Sequence, residues 1–595
     1  MPPKKGGIRQ QMGYDGNKRS AEQPIDDQLK TMMKKGKISA PDVQATSAAI
    51  IKTSSSSGSG GYNSDSGIAK WAKAGACGSR PGNISRDLTA TMAKQSNKAE
   101  IYAAPVKFWD CIEGKQFEDD MYFLAPHETL AKEVTEPHEW TSLPEDGAYS
   151  GLISDWKTRE NVVGDDEVAG AGLWADSATY HTRDSLYLVL FNILTGVHQI
   201  RFWIAAWSKR MMCDCGCKGR CTFASVWEVI IWPFNALQAG RFPSVRSDGT
   251  PFDSSTRIGD AWRAKMAGKP LPFRCGPIQF RADWSFLKCA LNLTGWRPEG
   301  DTLRVCWKCL ADCTRYPFTS VGFDALWRGT LLTHQIYLQM CMANNIWVSE
   351  VFGLPGFRLE HITADLMHCV DLGIVQYLLG NVIWELCFVE MKGLITKPNP
   401  VLGEMLIMFR IASKALSKEL KCEYKCPISS LTIGMLRKDT KAPKMKTKAA
   451  EGRKLVPVVR WILENMFKQE SAHEKLRYNC VKAIDMFYTC LDVPASIFDP
   501  KSCALYARRH ISLWAELGLE ALDNLSHQHS GWVSFRYYPK HHLTLHCVED
   551  QVANSGNPRR NWCYMDEDAI GKAVAVAEEL HAKTLHRSVV ERHRL

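Results

Sequence analysis

The chain has 595 residues, of which 45% are apolar and 23% charged, and it contains 20 Trp, 22 Phe and 17 Tyr. This composition excludes a wholly disordered chain, and the length allows roughly three to five domains of about 100–200 residues. The most apolar stretch, 186–207, is interrupted by Asn192, His198 and Arg201. We therefore expect no membrane span, which needs about 20 predominantly apolar residues.

The first residues, MPPKKGGIRQQ, lack the apolar segment of a secretion signal, so we expect a reducing compartment. In such a compartment the 21 cysteines serve as buried thiols or metal ligands rather than as disulfides.

Positive charge is concentrated at the start of the chain. Residues 1–100 carry 16 Lys and Arg against 8 Asp and Glu, whereas the remainder is nearly balanced. This stretch is poor in large apolar residues and contains a Ser/Gly run at 54–61, so we predict a disordered basic arm over 1–100. Such an arm can bind phosphates, act as a nuclear-import signal or merely keep the chain soluble.

A second basic run, 437–454, has eight Lys and Arg and two acids. It could follow a nucleic-acid backbone or be an exposed linker between helices. The candidate nucleic-acid-binding residues are Lys438, Lys441, Lys444, Lys446 and Lys448.

Apolar patterning predicts an α/β protein whose C-terminal half is helical. We predict a mixed helical region over 101–210 with a buried helix at 186–207, then an α/β core with Cys-rich turns over 211–325. Within that core the β-branched run 226–232 and the segment 276–282 are typical of strands. Helical patterns dominate beyond 325, in the regions 326–535 and 536–595. The predicted helices are 325–345, 372–394, 402–420, 455–467, 474–491, 502–525 and 569–585.

Four cysteines lie within nine residues, beside Lys218 and Arg220. Thiolates this close on a glycine-containing turn can bind one tetrahedral zinc, and the alternative is a reduced turn without metal. The four are Cys213, Cys215, Cys217 and Cys221.

A C-x2-C pair, Cys306 and Cys309, offers half of a second zinc site. The other ligands would come from Cys313 and a distant Cys or His, and the alternative is a buried thiol pair. His542 and His546 have the i, i+4 spacing of a chelating pair.

Two segments carry acidic residues in or before predicted helices. Asp365, His368 and Asp371 could share a helical face and hold a divalent ion, and the alternative is that Asp365 is an N-cap and His368 a buried histidine. Asp566, Glu567 and Asp568 precede a predicted helix, where capping is the simplest role.

The order of these motifs resembles that of the CACTA-type transposases and their fungal and protist relatives over about 213–571. The resemblance is carried by CDCGCKGRCT, WEVIIWPFNALQAGRFPS, RADWSFLKCALNLTGW, CWKCLADC, LPGF, ADLMHCVDLG, AAEGRKLVP, PKHHLTLH and NPRRNWCYMDEDAIG.

The resemblance implies a ribonuclease-H-like mixed sheet with an acidic triad. It also implies that 326–535 is a long helical insertion and that the C-terminal segment 536–595 completes the core. Asp283 in RADW matches the second acid, and Glu567 matches the third with Glu451 as a reserve. The segment that corresponds to the family's first strand, 226–237, carries Glu228 and no Asp. Asp248, in SDGTPF, resembles the family's Asp-Gly step and is the candidate for the first acid. Cys306 and Cys309 match the family's C-x2-C, and Asp365 and His368 match its D-x2-H.

These expectations describe a nuclear, transposon-derived DNA-binding protein with structural zinc, in which Mg²⁺ at the acids would cut or join DNA strands. The alternative is a non-catalytic, zinc-containing nucleic-acid or protein binder that has lost the first acid. A third reading is a helical protein with Cys-rich turns and an unrelated role. The sequence leaves open whether the chain forms a homo-oligomer.

Overall fold

A seven-stranded mixed sheet lies at the centre of the larger part of the chain. The computed structural model describes residues 25–34, 40–56, 67–74, 84, 88, 91, 98–163, 167–253, 255, 257–298, 303–437, 441–523, 528–529, 532–581 and 584–594. These fall into two compact units, Ala99–Val590 and a smaller one formed by Met1–Lys98 with Glu591–Leu595. The mixed sheet together with the many helices confirms the predicted α/β class.

The strands of the sheet are β1 (Ile101–Asp110), β2 (Lys115–Leu124), β3 (Val168–His181), β4 (Asp184–Ile193), β5 (Phe202–Ser208), β6 (Arg274–Ala282) and β7 (Ile362–Ala364). Their order is β1-β2-β5-β4-β3-β6-β7. Strands β3, β4 and β5 are antiparallel neighbours, whereas β6 and β7 run parallel to β3. A separate hairpin joins β8 (Gln528–His529) to β9 (Trp532–Val533).

The described helices are α1 (Ile25–Lys34), α2 (Ala40–Ser56), α3 (Gly67–Ala72), α4 (Pro126–Glu133), α5 (His138–Thr141), α6 (Ser150–Arg159), α7 (Arg220–Ala239), α8 (Asp260–Met266), α9 (Trp284–Ala290), α10 (His334–Ala343), α11 (Val375–Glu385), α12 (Asn399–Glu419), α13 (Ile433–Leu436), α14 (Ala449–Asn465), α15 (Ala472–Leu491), α16 (Pro500–Asp523), α17 (Pro539–Glu549), α18 (Val552–Ser555), α19 (Tyr564–Ala577) and α20 (Leu585–Arg594). Helix α11 is flanked by wider π-helical turns at Met367–Ile374 and Leu386–Glu390.

Both faces of the sheet are covered, because side chains of successive strand residues point to opposite faces. On one face, Val189 and Phe191 of β4 pack in the cluster that contains Trp227 of α7. On the other face, Leu188 of β4 packs in the cluster that contains Ile570 of α19. Helix α19 therefore covers this second face of the sheet.

The two buried strands β4 and β5 occupy the stretch for which a helix is predicted, so the helix at 186–207 is wrong. Strands covered on both faces are apolar throughout and lose the alternation that marks a strand. The strand predicted at 226–232 is also wrong, because this run lies within α7, which is buried along much of its length. The predicted strand at 276–282 is confirmed as β6.

The predicted disordered arm, 1–100, lies largely outside the described residues. Its described parts form α1, α2 and α3, which share a small apolar cluster around Val43 and Trp71. Gln44 of α2 donates a 2.9 Å hydrogen bond to the carbonyl of Ala72 in α3.

One described helical stretch, Met367–Glu390, is apolar and long enough to cross a membrane by length and composition alone. In its most apolar window, 78% of the residues are buried inside the protein.

Candidate functional site

Three neighbouring parallel strands each carry the dipeptide Ala-Asp: Ala175-Asp176 lies within β3, and Ala282-Asp283 and Ala364-Asp365 lie where β6 and β7 end. The register pairs Trp174 with Arg281, and it pairs Ala282 with Ala364. Continuing the pairing by one or two residues places the three aspartates side by side. Asp176, at the point where the pairing of β3 with β6 stops, thus lies beside the two acids that follow the carboxyl ends of β6 and β7.

Asp176, Asp283 and His368 form the centre of this group. One ligand atom from each lies within 4.8 Å of the others, and all three side chains are half-buried. Burial raises the pKa of Asp176 well above its usual value, and the charges of Asp283 and Glu567 raise it further. The repulsion between these carboxylates is what a bound divalent cation would relieve.

Asp365 orients His368. Its carboxylate is buried, accepts the backbone N–H of Met367 at 3.0 Å and that of Cys563 at 3.0 Å, and accepts a short hydrogen bond from Nδ1 of His368. Burial opposes protonation of His368, but the hydrogen bond and charge of Asp365 and the charge of Glu567 outweigh it and raise its pKa to about 9. The Nε2 atom is left facing the other carboxylates.

Glu567 lies in the first turn of α19, and its Oε1 atom is 3.9 Å from Nε2 of His368. That oxygen is buried and has no hydrogen-bond partner among the described residues. Burial raises the pKa of Glu567, the charge of His368 opposes the rise, and Asp365 and Asp283 add to it. An unpartnered buried carboxylate oxygen beside two aspartates is a suitable donor set for Mg²⁺, which prefers oxygen ligands.

The remaining acids considered from the sequence lie elsewhere. Asp248 is in an exposed turn, where it accepts hydrogen bonds from the backbone and hydroxyl of Thr250. Glu451 caps the start of α14 by accepting the N–H of Lys448 at 2.9 Å. Glu228 is exposed on α7. Asp176, which sequence reasoning missed, takes the position beside Asp283.

A signal for Asp176 is present in the sequence. The run Val168–Ala175 is wholly buried and apolar, and Asp176 follows it directly as Asp283 follows the buried strand β6. The shared Ala-Asp step after an apolar run could have identified it, had the run been recognised as a strand.

The two half-sites for zinc predicted from the sequence meet in the structure, where they form what we call the Cys/His group. The ligand atoms of Cys306, Cys309, His542 and His546 all lie within 4.8 Å of one another, and all four residues are buried. Cys309 Sγ is 3.3 Å from Nε2 of His542 and 3.5 Å from Nε2 of His546. Cys313, the other ligand considered, is exposed and lies outside the group.

The surroundings of the Cys/His group fit a structural metal. Asp550 accepts a hydrogen bond from Nδ1 of His546, which orients its Nε2 toward the sulfurs, as carboxylates that contact the ligands of zinc sites do. Burial disfavours the thiolate form of Cys306. The hydrogen bond from Cys309 and the charges of His546 and His542 outweigh this effect and lower the pKa of Cys306. These four residues could hold a metal such as zinc, with closed tetrahedral coordination.

The four-cysteine group, Cys213, Cys215, Cys217 and Cys221, is also assembled, with its sulfurs within 4.8 Å of one another. Cys215 Sγ and Cys221 Sγ are 3.9 Å apart, near the roughly 3.8 Å separation that tetrahedral Zn–S bonds of about 2.3 Å impose. The turn is closed by left-handed backbone, with φ of 89° at Gly216 and 84° at Gly219. This group could likewise hold zinc, and it is more exposed than the Cys/His group.

The basic run 437–454 is not a free linker where the structure describes it. Its backbone is held by hydrogen bonds such as Met445 N–H to the carbonyl of Gln376, at 2.7 Å. Lys444 lies over the ring of Tyr377, and Lys438 lies outside the described residues. The exposed lysines in the described part of the run are Lys441, Lys446, Lys448 and Lys454.

A scan against models of known protein families finds no match for the chain, and a search of curated proteins finds none either.

Proposed function

We propose that this protein is a transposon-derived, ribonuclease-H-like enzyme that cleaves or joins DNA strands with divalent metal ions. The observation that carries the proposal is the convergence of Asp176, Asp283 and Glu567, with His368, at the carboxyl edge of three parallel strands. A ribonuclease-H-like core has three antiparallel strands followed by two parallel ones. The order β5-β4-β3-β6-β7 and its strand directions support such a core here.

In this proposal Asp176, and not Asp248, is the first acid. It lies in the strand flanked by β4 and β6, where the first acid of such a fold is expected, and it faces the side of the sheet that carries α19. The helical insertion between β7 and α19 then separates the second acid from the third, as the resemblance implies.

The carboxylates of Asp176, Asp283 and Glu567 would hold Mg²⁺. Bound there, the metal would lower the pKa of a water molecule or DNA hydroxyl and neutralise charge on the leaving oxygen. Asp283 also caps α9, accepting the N–H of Phe286 at 2.5 Å, so its carboxylate is fixed before any ligand arrives. Asp365 would act indirectly, because its hydrogen bond from Nδ1 holds the imidazole of His368 against these carboxylates.

The zinc sites would support this centre rather than react. The Cys/His group ties the loop of Cys306 and Cys309 to helix α17, and α17 also carries Lys540. Nζ of Lys540 donates a 2.7 Å hydrogen bond to the carbonyl of His368. Metal binding by Cys and His would thus help to position the turn that carries His368.

A nicking assay on supercoiled DNA with Mg²⁺ tests the proposal. Asp176→Asn, Asp283→Asn and Glu567→Gln should each lower the rate at least about 100-fold, because each removes charge that holds the metal. Asp248→Asn and Asp568→Asn are matched controls, since both acids are exposed, and they should retain activity. Equal rates in the wild type and all five variants would contradict the proposal.

A second candidate, a non-catalytic zinc-containing nucleic-acid binder, is supported by the exposed Lys441, Lys446 and Lys448. Such a binder would need no catalysis by Asp176, Asp283 and Glu567. It predicts that log K for DNA falls linearly with log salt and that replacing these three lysines with Ala makes the slope shallower. Metal-independent binding without any nicking would favour it over the enzyme. Under either proposal we place the protein in the nucleus.

A further inference from the structure

A cavity of about 530 Å³ lies directly beside the carboxylate group. Asp283, Asp365 and His368 form part of its wall, so a molecule inside it would lie against the proposed catalytic centre. Its volume is in the range of about 300–1,000 Å³ that is usual for small-molecule sites.

Aromatic rings form much of the rest of the wall. Tyr377 and Tyr538 are stacked, with ring centroids 4.1 Å apart and planes 24° from parallel. Trp296 is 37% exposed and stands edge-to-face against Trp284, with centroids 6.1 Å apart. Such rings are surfaces on which a nucleic-acid base can stack, whatever its identity.

Positive charges surround these rings. Nζ of Lys444 is 5.1 Å from the centre of the Tyr377 ring, and Arg297 and Arg536 are exposed residues of the same wall. Burial raises the pKa of Tyr377, and a hydrogen bond with Tyr538 and the charges of both arginines oppose that rise. The cations therefore lie close to the aromatic surface, where a phosphate attached to a stacked base would be found.

We propose that this cavity receives one unpaired nucleotide of the DNA strand, with its base against Trp296 and its phosphate near Lys444. The inference rests on the proposed function, because the carboxylates would act on the phosphodiester next to that nucleotide. A base within a duplex is stacked on its neighbours, so only a nucleotide that has left the stack fits such a pocket.

The test is equilibrium binding, measured by fluorescence anisotropy in Ca²⁺ buffer with the full chain. Three short duplexes are compared: one with a single unpaired thymidine at its end, one with an abasic unit in that place and one fully paired. Trp296→Ala removes the exposed ring and Trp296→Phe keeps an aromatic surface. Lys444→Ala is matched by Lys418→Ala, which replaces an exposed lysine of α12 that is not part of the cavity wall.

The wild type and Lys418→Ala should prefer the unpaired thymidine over the abasic end by roughly tenfold, as stacking of one base implies. Trp296→Ala should lose most of this preference and Trp296→Phe should keep it, whereas Lys444→Ala should weaken binding to both ends. Equal binding of the thymidine and abasic ends by the wild type, or an unchanged preference in Trp296→Ala, would overturn the inference. A base preference without Mg²⁺-dependent nicking would instead refute the proposed catalysis and leave the nucleotide pocket standing.

Discussion

Arg281 and Asp566, which are 285 residues apart in the chain, form a buried ion pair in which the side chains are 1% and 0% exposed. Arg281 Nε is 3.2 Å from Asp566 Oδ2, and Arg201 Nε is 2.6 Å from Asp566 Oδ1. Arg281 lies two residues before Asp283, and Asp566 immediately precedes Glu567. This ion pair therefore joins the end of β6 to the start of α19 and fixes the distance between Asp283 and Glu567.

Asp566→Asn should destabilise the protein and also impair cleavage. Removing one partner of a buried pair leaves two guanidinium groups with too little compensating charge, which costs about 3–5 kcal/mol. The free energy of unfolding in urea measures this cost. Asp568→Asn, two positions further along the same helix but exposed and paired with Lys572, should change stability by less than about 1 kcal/mol. If the two variants are equally stable, Asp566 does not hold α19 against the sheet.

The chain should bind two zinc ions, one in each Cys-rich group. Metal analysis of the purified protein should give about two zinc per chain, falling to about one in Cys215→Ser and in His546→Asn. His546→Asn should also lower the melting temperature strongly, because the Cys/His group is buried in the core. Cys313→Ser is the control and should keep both ions. Fewer than one zinc in the wild type would contradict both assignments.

Divalent cations should stabilise the wild type through the carboxylate group. At a concentration about 100 times the dissociation constant, Mg²⁺ should add about 2.7 kcal/mol. Asp176→Asn should respond weakly, yet without added cation it should be at least as stable as the wild type, because it removes repulsion with Asp283 and Glu567. Thermal unfolding with and without Mg²⁺ measures both effects. Asp248→Asn should respond like the wild type, and a full response in Asp176→Asn would exclude it as a ligand.

Stability should depend on pH through His473, which links α15 to α11 and α16. Its Nε2 lies 3.0 Å from Glu385 and its Nδ1 lies 3.0 Å from Glu520. Burial opposes protonation, but the hydrogen bond and charge of Glu385 and the hydrogen bond of Glu520 outweigh it and raise the pKa of His473.

The contribution of His473 is fully present below the unfolded pKa of about 6.5 and is lost as pH rises through the higher folded value. Unfolding free energies from about pH 6 to pH 9 should therefore fall more steeply in the wild type than in His473→Gln. His181→Gln, which replaces an exposed histidine, should follow the wild-type curve. A constant difference between wild type and His473→Gln would show that this histidine does not change its protonation on folding.

Amphipathic helices of the C-terminal half were predictable, because their apolar residues recur every three to four positions. The predicted 402–420 and 474–491 correspond closely to α12 and α15. The strands β4 and β5 were misread because both of their faces are buried, so that polar and apolar residues do not alternate regularly. The segment 226–232 of α7 was misread as a strand because its β-branched and aromatic residues are typical of strands.

At the candidate site, local motifs were enough to single out Asp283, Glu567 and the separate halves of the Cys/His group, because each motif is contained in a few consecutive residues. Only the tertiary structure selected Asp176 and paired Cys306 and Cys309 with two histidines of α17. Strand register and helix packing bring these side chains together, and both depend on contacts between segments that are far apart in the chain. Spacing along a sequence specifies which chemical groups a turn offers, whereas the packed sheet decides which of those groups meet.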